Sequence, residues 1–423
     1  VPIKPERMLS HMERFAAIGK TAGGGTDRLA LSPQDHEARR LLVDLMREAG
    51  MTVQIDCLGN IWGRTDERWC EPAVVAGSHL DTVPAGGRFD GVAGVVAALE
   101  AVQALIEDGR VPRVPLGVAC FAAEESSRFG VSTVGSKGAA GILDYSEIMA
   151  MKDRDGVTYL DALVAHGGPA AGQAPTVGCY LELHVEQGRE LELAGVPLGV
   201  VQAIAAPTRY RVTVHGEAAH SGATLMTWRK DGLVAASELV LALERIAEVE
   251  EEYGTVATAT IFALHPVSIN VVPGRVELGV DIRGTEERSK RRAVERFLHT
   301  VRRVSAQRGV PIDLETLADE QPVALDPAAV ACVRAGCERV GAPYMMMSSR
   351  AGHDAMNMAR ICPAAMLFVP SQGGVSHHPA EYTSPEHLVL GARALLEAML
   401  EAAEMLRAGR GSAAARGQDE GGR

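Results

Sequence analysis

Aromatic residues are scarce in this sequence, at 4%, which disfavours a base-stacking platform for single-stranded nucleic acid. Lys and Arg (42) are outnumbered by Asp and Glu (54), for a formal net charge of −12 at pH 7. A net acidic chain is a poor polyanion binder, so neither nucleic acid nor an anionic membrane is expected as a partner. Local cations can still gather an anionic substrate in a cleft. No apolar run approaches the ~20 residues of a membrane span. The opening VPIKPERMLSHMERFAAIG has neither the apolar segment nor the cleavage site of a secretory signal. The seven cysteines, Cys57 to Cys362, are odd in number and include no CxxC. A reducing, cytoplasmic setting is therefore expected, with every cysteine a small buried apolar residue. There is no GxSxG nucleophile elbow. In GVSTVGSK, Ser136 precedes Lys137, which is the wrong order for a phosphate loop.

What is present is 423 residues, 47% of them apolar, enough for one large domain or two. Ser32 to Ala49 reads as a capped amphipathic helix closed by Gly50, and Gly91 to Ile106 as another. Ala73 to Gly77, Leu116 to Ala122, Val177 to Val185 and Ala365 to Val369 read as buried strands. Strands alternating with helices predict an α/β domain with a mixed, mostly parallel sheet flanked by helices. The middle of the chain differs. Strand patterns at Tyr210–Val214, Thr255–Leu264 and Val276–Ile282 are separated by helical patterns at Asp231–Ala247 and Glu286–Gln307. These predict an inserted ferredoxin-like α+β domain. The expected division is 1–208 with 319–410, an insert over 209–318, and a flexible tail over 411–423.

Four stretches carry chemistry, each at or just after a strand. GSHLDTVPAGGRFDG offers His79, Asp81 and Asp90; FAAEESSRFG offers Glu124 and Glu125. YLELHVEQG offers His184 and Gln187, and FVPSQGGVSHHPAEYT offers His377 and His378. In open parallel sheets the working loops lie at the carboxyl ends of strands. Adjacent carboxylates repel unless cations or protons intervene, and imidazole with carboxylate suits Zn, Mn, Co or Ni. Taken singly, each stretch has a structural reading: a turn cap, a helix's first turn, a surface histidine. Together, His79, Asp90, Glu125, His184 and His377 suffice for two metal ions, with Glu124 left over as a base.

These stretches resemble the amidohydrolase branch of the dinuclear metallopeptidase superfamily, and within it the N-carbamoyl-L-amino-acid hydrolases, β-ureidopropionases and allantoate amidohydrolases. The shared motifs run in order from Gly77 to Thr383: HLDTVPxGGxFDG, EExxRFG, HxEQG, HxG, NVVPGxV with DIR, AGHDA and SHxPAE. The resemblance implies a zinc-aminopeptidase-like catalytic domain with an inserted lid and dimerisation domain. It implies that Asp90 bridges two divalent ions. His79 and His184 would each close one side, Glu125 and His377 would complete the other, Glu124 would be the general base, and Asp81 would hydrogen-bond His79. His220 would meet the oxyanion, and Gln187, Asn270 and Arg283 would hold a substrate carboxylate. His220 and Asn270 would come from the partner subunit of a homodimer.

The implied reaction is hydrolysis of the ureido C–N bond of a small carboxylate-bearing substrate. Rival readings are a peptidase or aminoacylase, disfavoured by His184 in HxEQG, and a non-catalytic binding protein, disfavoured because Glu124 and every ligand are present. The sequence departs from the family pattern at Ser126, Arg350 and His378. Arg350 precedes AGHDA and is expected beside the substrate.

Overall fold

The computed structural model describes residues 3–165, 172 and 174–420. The chain divides into two compact units, Val1–Gln202 with Leu325–Met347 and His353–Arg423, and Ala203–Ala324 with Ser348–Gly352. The second unit thus starts earlier and ends later than the expected 209–318, and it recruits a loop from near residue 350.

The strands in chain order begin with β1 (Thr52–Ile55), β2 (Ile61–Arg64), β3 (Ala73–His79), β4 (Leu116–Phe121), β5 (Val177–Val185) and β6 (Leu198–Ile204). Next come β7 (Ala206–His215), β8 (Ala219–His220), β9 (Thr255–His265), β10 (Val271–Val272), β11 (Arg275–Gly284) and β12 (Ile312–Asp319). The chain returns through β13 (Val323–Ala324), β14 (Tyr344–Ser349) and β15 (Ala364–Val369).

The large sheet has the order β1-β2-β4-β3-β5-β15-β6-β13, with β14 beside β6. Its middle, β4-β3-β5-β15, is parallel, and β2 and β6 join it antiparallel. The parallel strands are the continuous apolar runs of the sequence, because helices cover both their faces. The helix Pro33–Glu48 begins where Ser32 accepts the Asp35 N–H at 3.2 Å, with Pro33 in its first turn. Helix Val92–Glu107 is buried along nearly its whole length. It lies so close to the sheet that a Cβ on Gly94 would meet the Leu183 carbonyl. Each fully buried Leu or Val of this core contributes about 1.5–3 kcal/mol.

The second unit carries a four-stranded antiparallel sheet, β12-β7-β11-β9. In chain order this is strand, helix Gly232–Glu250, two strands, helix Glu287–Arg308, strand, a ferredoxin-like arrangement. Its core joins Val212, Val214, Val276, Leu278 and Ile282 of the sheet to Leu239, Phe297 and Val301 of the helices.

The last helix runs Pro385–Glu420, so the backbone over 411–420, expected as tail, is helical; the alanines around Ser412 have high helix propensity. Cys57 and Cys70 are exposed, contrary to the expectation that all seven cysteines are buried. Both lie in polar turn segments outside the apolar runs. No helix among the described residues is long and apolar enough to cross a membrane.

Candidate active site

His79, Glu124, Glu125, His184 and His377 reach one place because β4, β3, β5 and β15 run parallel, so their carboxyl ends share one edge of the sheet. His79 ends β3, His184 sits one residue from the end of β5, and the other three follow β4 and β15 on loops. Asp90 arrives on the loop after β3, just before the helix Val92–Glu107.

Asp90 is the centre. Its Oδ1 lies 3.4 Å from His79 Nε2 and 3.2 Å from His184 Nε2, and its Oδ2 lies 3.4 Å from His377 Nε2. His377 Nε2 is also 3.2 Å from Glu125 Oε1, and Glu124 Oε2 is 3.8 Å from His79 Nε2. Ligand atoms of His79, Asp90 and His184 lie within 4.8 Å of one another, as do those of Asp90, Glu125 and His377, and those of Glu182, His184 and His353.

The ring orientations fit cation binding. His79 Nδ1 meets the Asp81 carbonyl at 3.0 Å and His184 Nδ1 meets the Val185 carbonyl at 2.9 Å. A carbonyl only accepts, so each Nδ1 carries the hydrogen and each Nε2 is left facing Asp90, the nitrogen that a cation would take. The Gly91 N–H donates to His184 Nε2 at 3.2 Å, which needs the same tautomer. Neutral imidazoles and buried carboxylates are the donor set of a divalent transition-metal or zinc site.

Burial pulls the His79 imidazole down, but Glu124, Asp90 and Asp81 outweigh it and raise its pKa well above the ordinary value. Burial favours a neutral Asp90, yet the three imidazoles hold its carboxyl well below the usual range. Hydrogen bonds to Asp90 and Glu125 raise His377 to about 10. Burial pushes Glu124 well up, aided by Glu125, Asp354 and Asp81. Such a carboxyl is suited to accept and return a proton.

Asp81 does hydrogen-bond His79, and it does so through its main chain. The Asp81 contact to the ring is its carbonyl, and its carboxylate stands 3.8 Å away. That carboxylate instead accepts the N–H groups of Glu124 at 3.2 Å and Glu125 at 2.9 Å. The chain turns there through Ala123 at φ 54°; Gln187 at 59° and His377 at 54° are likewise left-handed. Non-glycine residues in this region cost roughly 1–3 kcal/mol and gather at functional sites. Gly91, at φ 66°, is required twice over, since a Cβ would lie 2.6 Å from the His79 ring.

Gln187 Nε2 donates to Asp90 Oδ2 at 2.7 Å, and its backbone N–H donates to Ser371 Oγ at 3.1 Å. His378 donates and accepts nothing at Asp90 or Glu125; its Nδ1 accepts the Ala380 N–H.

The remaining expected residues lie in the second unit. His220, in β8, pairs with Val271 of β10, and the Ser221 N–H donates to the Asn270 carbonyl at 3.0 Å, so His220 and Asn270 are neighbours. Arg283 lies near the other end of β11, ion-paired with Asp281 at 3.1 Å. Arg350 is exposed on the loop Ser348–Gly352.

Sequence reasoning assigned no role to several groups now seen at the site. His353 is buried with its ring 4.6 Å from that of His184. Behind it, Glu182 accepts from Ser78 Oγ and the Ala355 N–H, and Asn357 donates to Ser136 Oγ. Glu381 accepts from the backbone of the Asp90 loop. The sequence signal for His353 and Glu381 was membership of the AGHDA and SHxPAE motifs, and for Glu182 its place in YLELH beside His184.

The fold and this carboxylate–imidazole cluster define a hydrolase of the metallopeptidase type. The model of Peptidase family M20/M25/M40 matches residues 75–401. An N-carbamoyl-L-amino acid amidohydrolase of Geobacillus stearothermophilus is 35% identical over 409 residues, covering 95% of this chain and 99% of that protein. An allantoate amidohydrolase of Bacillus subtilis is 34% identical over 399 residues, covering 93% and 96%. A crystal structure of an amidase of the hydantoinase/carbamoylase family from Burkholderia multivorans superposes with a TM-score of 0.88 at 37% identity, covering 95% of this chain and 98% of that one. The chain belongs to the M20/M25/M40 peptidase family, in its amidohydrolase branch.

Proposed function

We propose that this protein hydrolyses the ureido C–N bond of N-carbamoyl-L-amino acids, releasing L-amino acid, CO₂ and ammonia. His79, Asp90, Glu125, His184 and His377 would hold two divalent ions, of Zn, Mn, Co or Ni. The observation that carries the reading is Asp90, one carboxylate facing three imidazoles with a second acid, Glu125, on His377. The bound ions would polarise the scissile carbonyl and lower the pKa of the attacking water toward about 7.

Glu124 takes the proton of the attacking water as its oxygen adds to the carbamoyl carbon. The bond to the amino-acid nitrogen then breaks, and Glu124 returns the proton to that nitrogen as it leaves. The carbamate left behind decomposes to CO₂ and ammonia. Asp81 holds both glutamates in register through their amides. His220 supplies a hydrogen bond to the oxyanion, an interaction typically worth about 3–4 kcal/mol. Gln187, Asn270 and Arg283 hold the substrate carboxylate, Arg283 in bidentate fashion, and Arg350 adjusts the charge around the substrate.

The second unit's own geometry supports a homodimer. His220 and Asn270 lie beside the Arg275 end of β11. From there Arg283 is about 27 Å along the strand at ~3.4 Å per residue. That span favours His220 and Asn270 serving the partner's site. The edge strand β9 leaves Ile261 56% and Phe262 44% exposed, as a pairing surface would. The setting is read as cytoplasmic from the cysteine usage.

Allantoate hydrolysis is kept as a second reading, because the named relatives are near-equal at 35% and 34% identity. The test is ammonia release by Mn- or Co-loaded protein from N-carbamoyl-L-amino acids, N-carbamoyl-β-alanine and allantoate, with a chelated control. Chelator-sensitive turnover strongest on N-carbamoyl-L-amino acids is expected. Turnover on allantoate alone transfers the assignment to the second reading. No turnover on any of them, with cations bound, overturns the ureido reading.

A further inference from the structure

We infer that Glu381 is a positioning residue for Asp90, strapping the loop that carries His377 to the loop that carries Asp90. Glu381 is 3% exposed. Its Oε1 accepts the backbone N–H of Phe89 at 2.9 Å and of Asp90 at 3.0 Å. Two amides converging on one oxygen fix the peptide from which the Asp90 side chain departs, and with it the direction of the carboxylate. Three further contacts join the same two loops. The Tyr382 ring meets Phe89 edge-on at 6.1 Å, Ser376 Oγ donates to Asp90 Oδ2 at 3.1 Å, and His377 Nε2 reaches that oxygen at 3.4 Å. Gly87 reserves the space, since a Cβ there would run into the Glu381 carboxylate.

Glu381 Oε2 is buried without a hydrogen-bond partner. An unsatisfied buried polar atom costs stability, and an apolar side chain would fill the same volume more favourably. A buried acid at this position is explained by the two amides it orients.

The inference rests on the proposed cation site, and its test reads cation binding apart from turnover. The dissociation constants for Co²⁺ are measured by competition with a chromophoric chelator, together with the visible d–d spectrum of the Co²⁺ form. Wild type, Glu381→Gln, Glu381→Ala and Gly87→Ala are compared. Glu381→Gln keeps an oxygen for both amides and is expected to stay within about tenfold of wild type. Glu381→Ala is expected to weaken Co²⁺ binding about 10–100-fold, the usual effect of removing an outer-shell partner, and to change the spectrum. Gly87→Ala keeps the carboxylate but displaces it, so the same direction of change is expected, and this variant decides the matter if Glu381→Ala does not fold. Wild-type affinity and spectrum in either of these two variants overturns the inference while leaving the cation site intact. A wild-type protein that binds no Co²⁺ overturns the cation reading itself, and the inference with it.

Discussion

The carboxylate of Asp81 accepts the main-chain N–H of Glu125 at 2.9 Å. Its other oxygen takes the N–H of Glu124 at 3.2 Å. One acid on the β3 loop thereby sets two acids on the β4 loop. Asp81→Ala leaves two buried N–H groups without an acceptor, at about 1–3 kcal/mol each. It is expected to lower both the melting temperature and kcat/KM, the latter about 10–100-fold. Asp81→Asn retains one acceptor oxygen and should fall between. Thermal unfolding and steady-state kinetics on the same preparations check this.

Glu124 belongs to none of the three clustered ligand groups and stands beside His79 at 3.8 Å. Glu124→Gln should therefore keep the cations and lose the proton transfer, reducing kcat by about 10²–10⁴. Elemental analysis of the purified variant beside its kcat separates the two effects. Unchanged turnover would remove Glu124 as the base.

Gly91 and Gly109 provide a matched pair. Both have positive φ, 66° and 65°, but a Cβ at Gly91 meets the His79 ring while one at Gly109 meets nothing within 4 Å. Gly109→Ala is expected to cost roughly 1 kcal/mol of stability, the strain of a left-handed alanine, with full activity. Gly91→Ala adds displacement of His79 and is expected to abolish turnover and weaken cation binding. Equal activity in the two variants would show that His79 tolerates the shift.

Complementation tests the proposed sharing of the site between two copies. If the protein is the proposed homodimer, His220→Ala and Arg283→Ala should each be nearly inactive on their own. Denaturing and refolding them together creates mixed dimers with one intact site in two, restoring roughly a quarter of wild-type activity for random pairing of a twofold dimer. No recovery on mixing would place His220 and Arg283 in the same copy's site.

Chelation should abolish turnover reversibly. Dialysis against a chelator followed by Mn²⁺, Co²⁺, Ni²⁺ or Zn²⁺ is expected to restore it, with up to two ions bound per chain. Restoration by none of them would exclude the divalent site formed around Asp90.

Much of this was legible in the residues. The runs AVVAG, LGVACFA and VGCYLELHV became β3, β4 and β5 because strands covered on both faces must be apolar throughout. The chemical residues stood out because each His or acid lay at the end of such a run or on the loop after it. The antiparallel β1–β2 hairpin and β6, which make the sheet mixed, left no comparable mark, since β1 is only half-buried and β6 interleaves with a partner from far along the chain. Glu381 was hidden for the same reason, as its hydrogen-bond partner Asp90 lies 291 residues away.

The sequence by itself determined the strand ends, the residue types placed on them and the family motifs, because local hydrophobic patterning and spacing are properties of the chain alone. Only the tertiary structure decided which atoms meet. It turned the Nδ1 atoms of His79 and His184 to the carbonyls of Asp81 and Val185, faced both Nε2 atoms to Asp90, and gave the Asp81 carboxylate to the Glu124 and Glu125 amides rather than to a ring. Those choices depend on the positions of hydrogen-bond donors and acceptors brought together by strand pairing and loop packing, which no local pattern specifies.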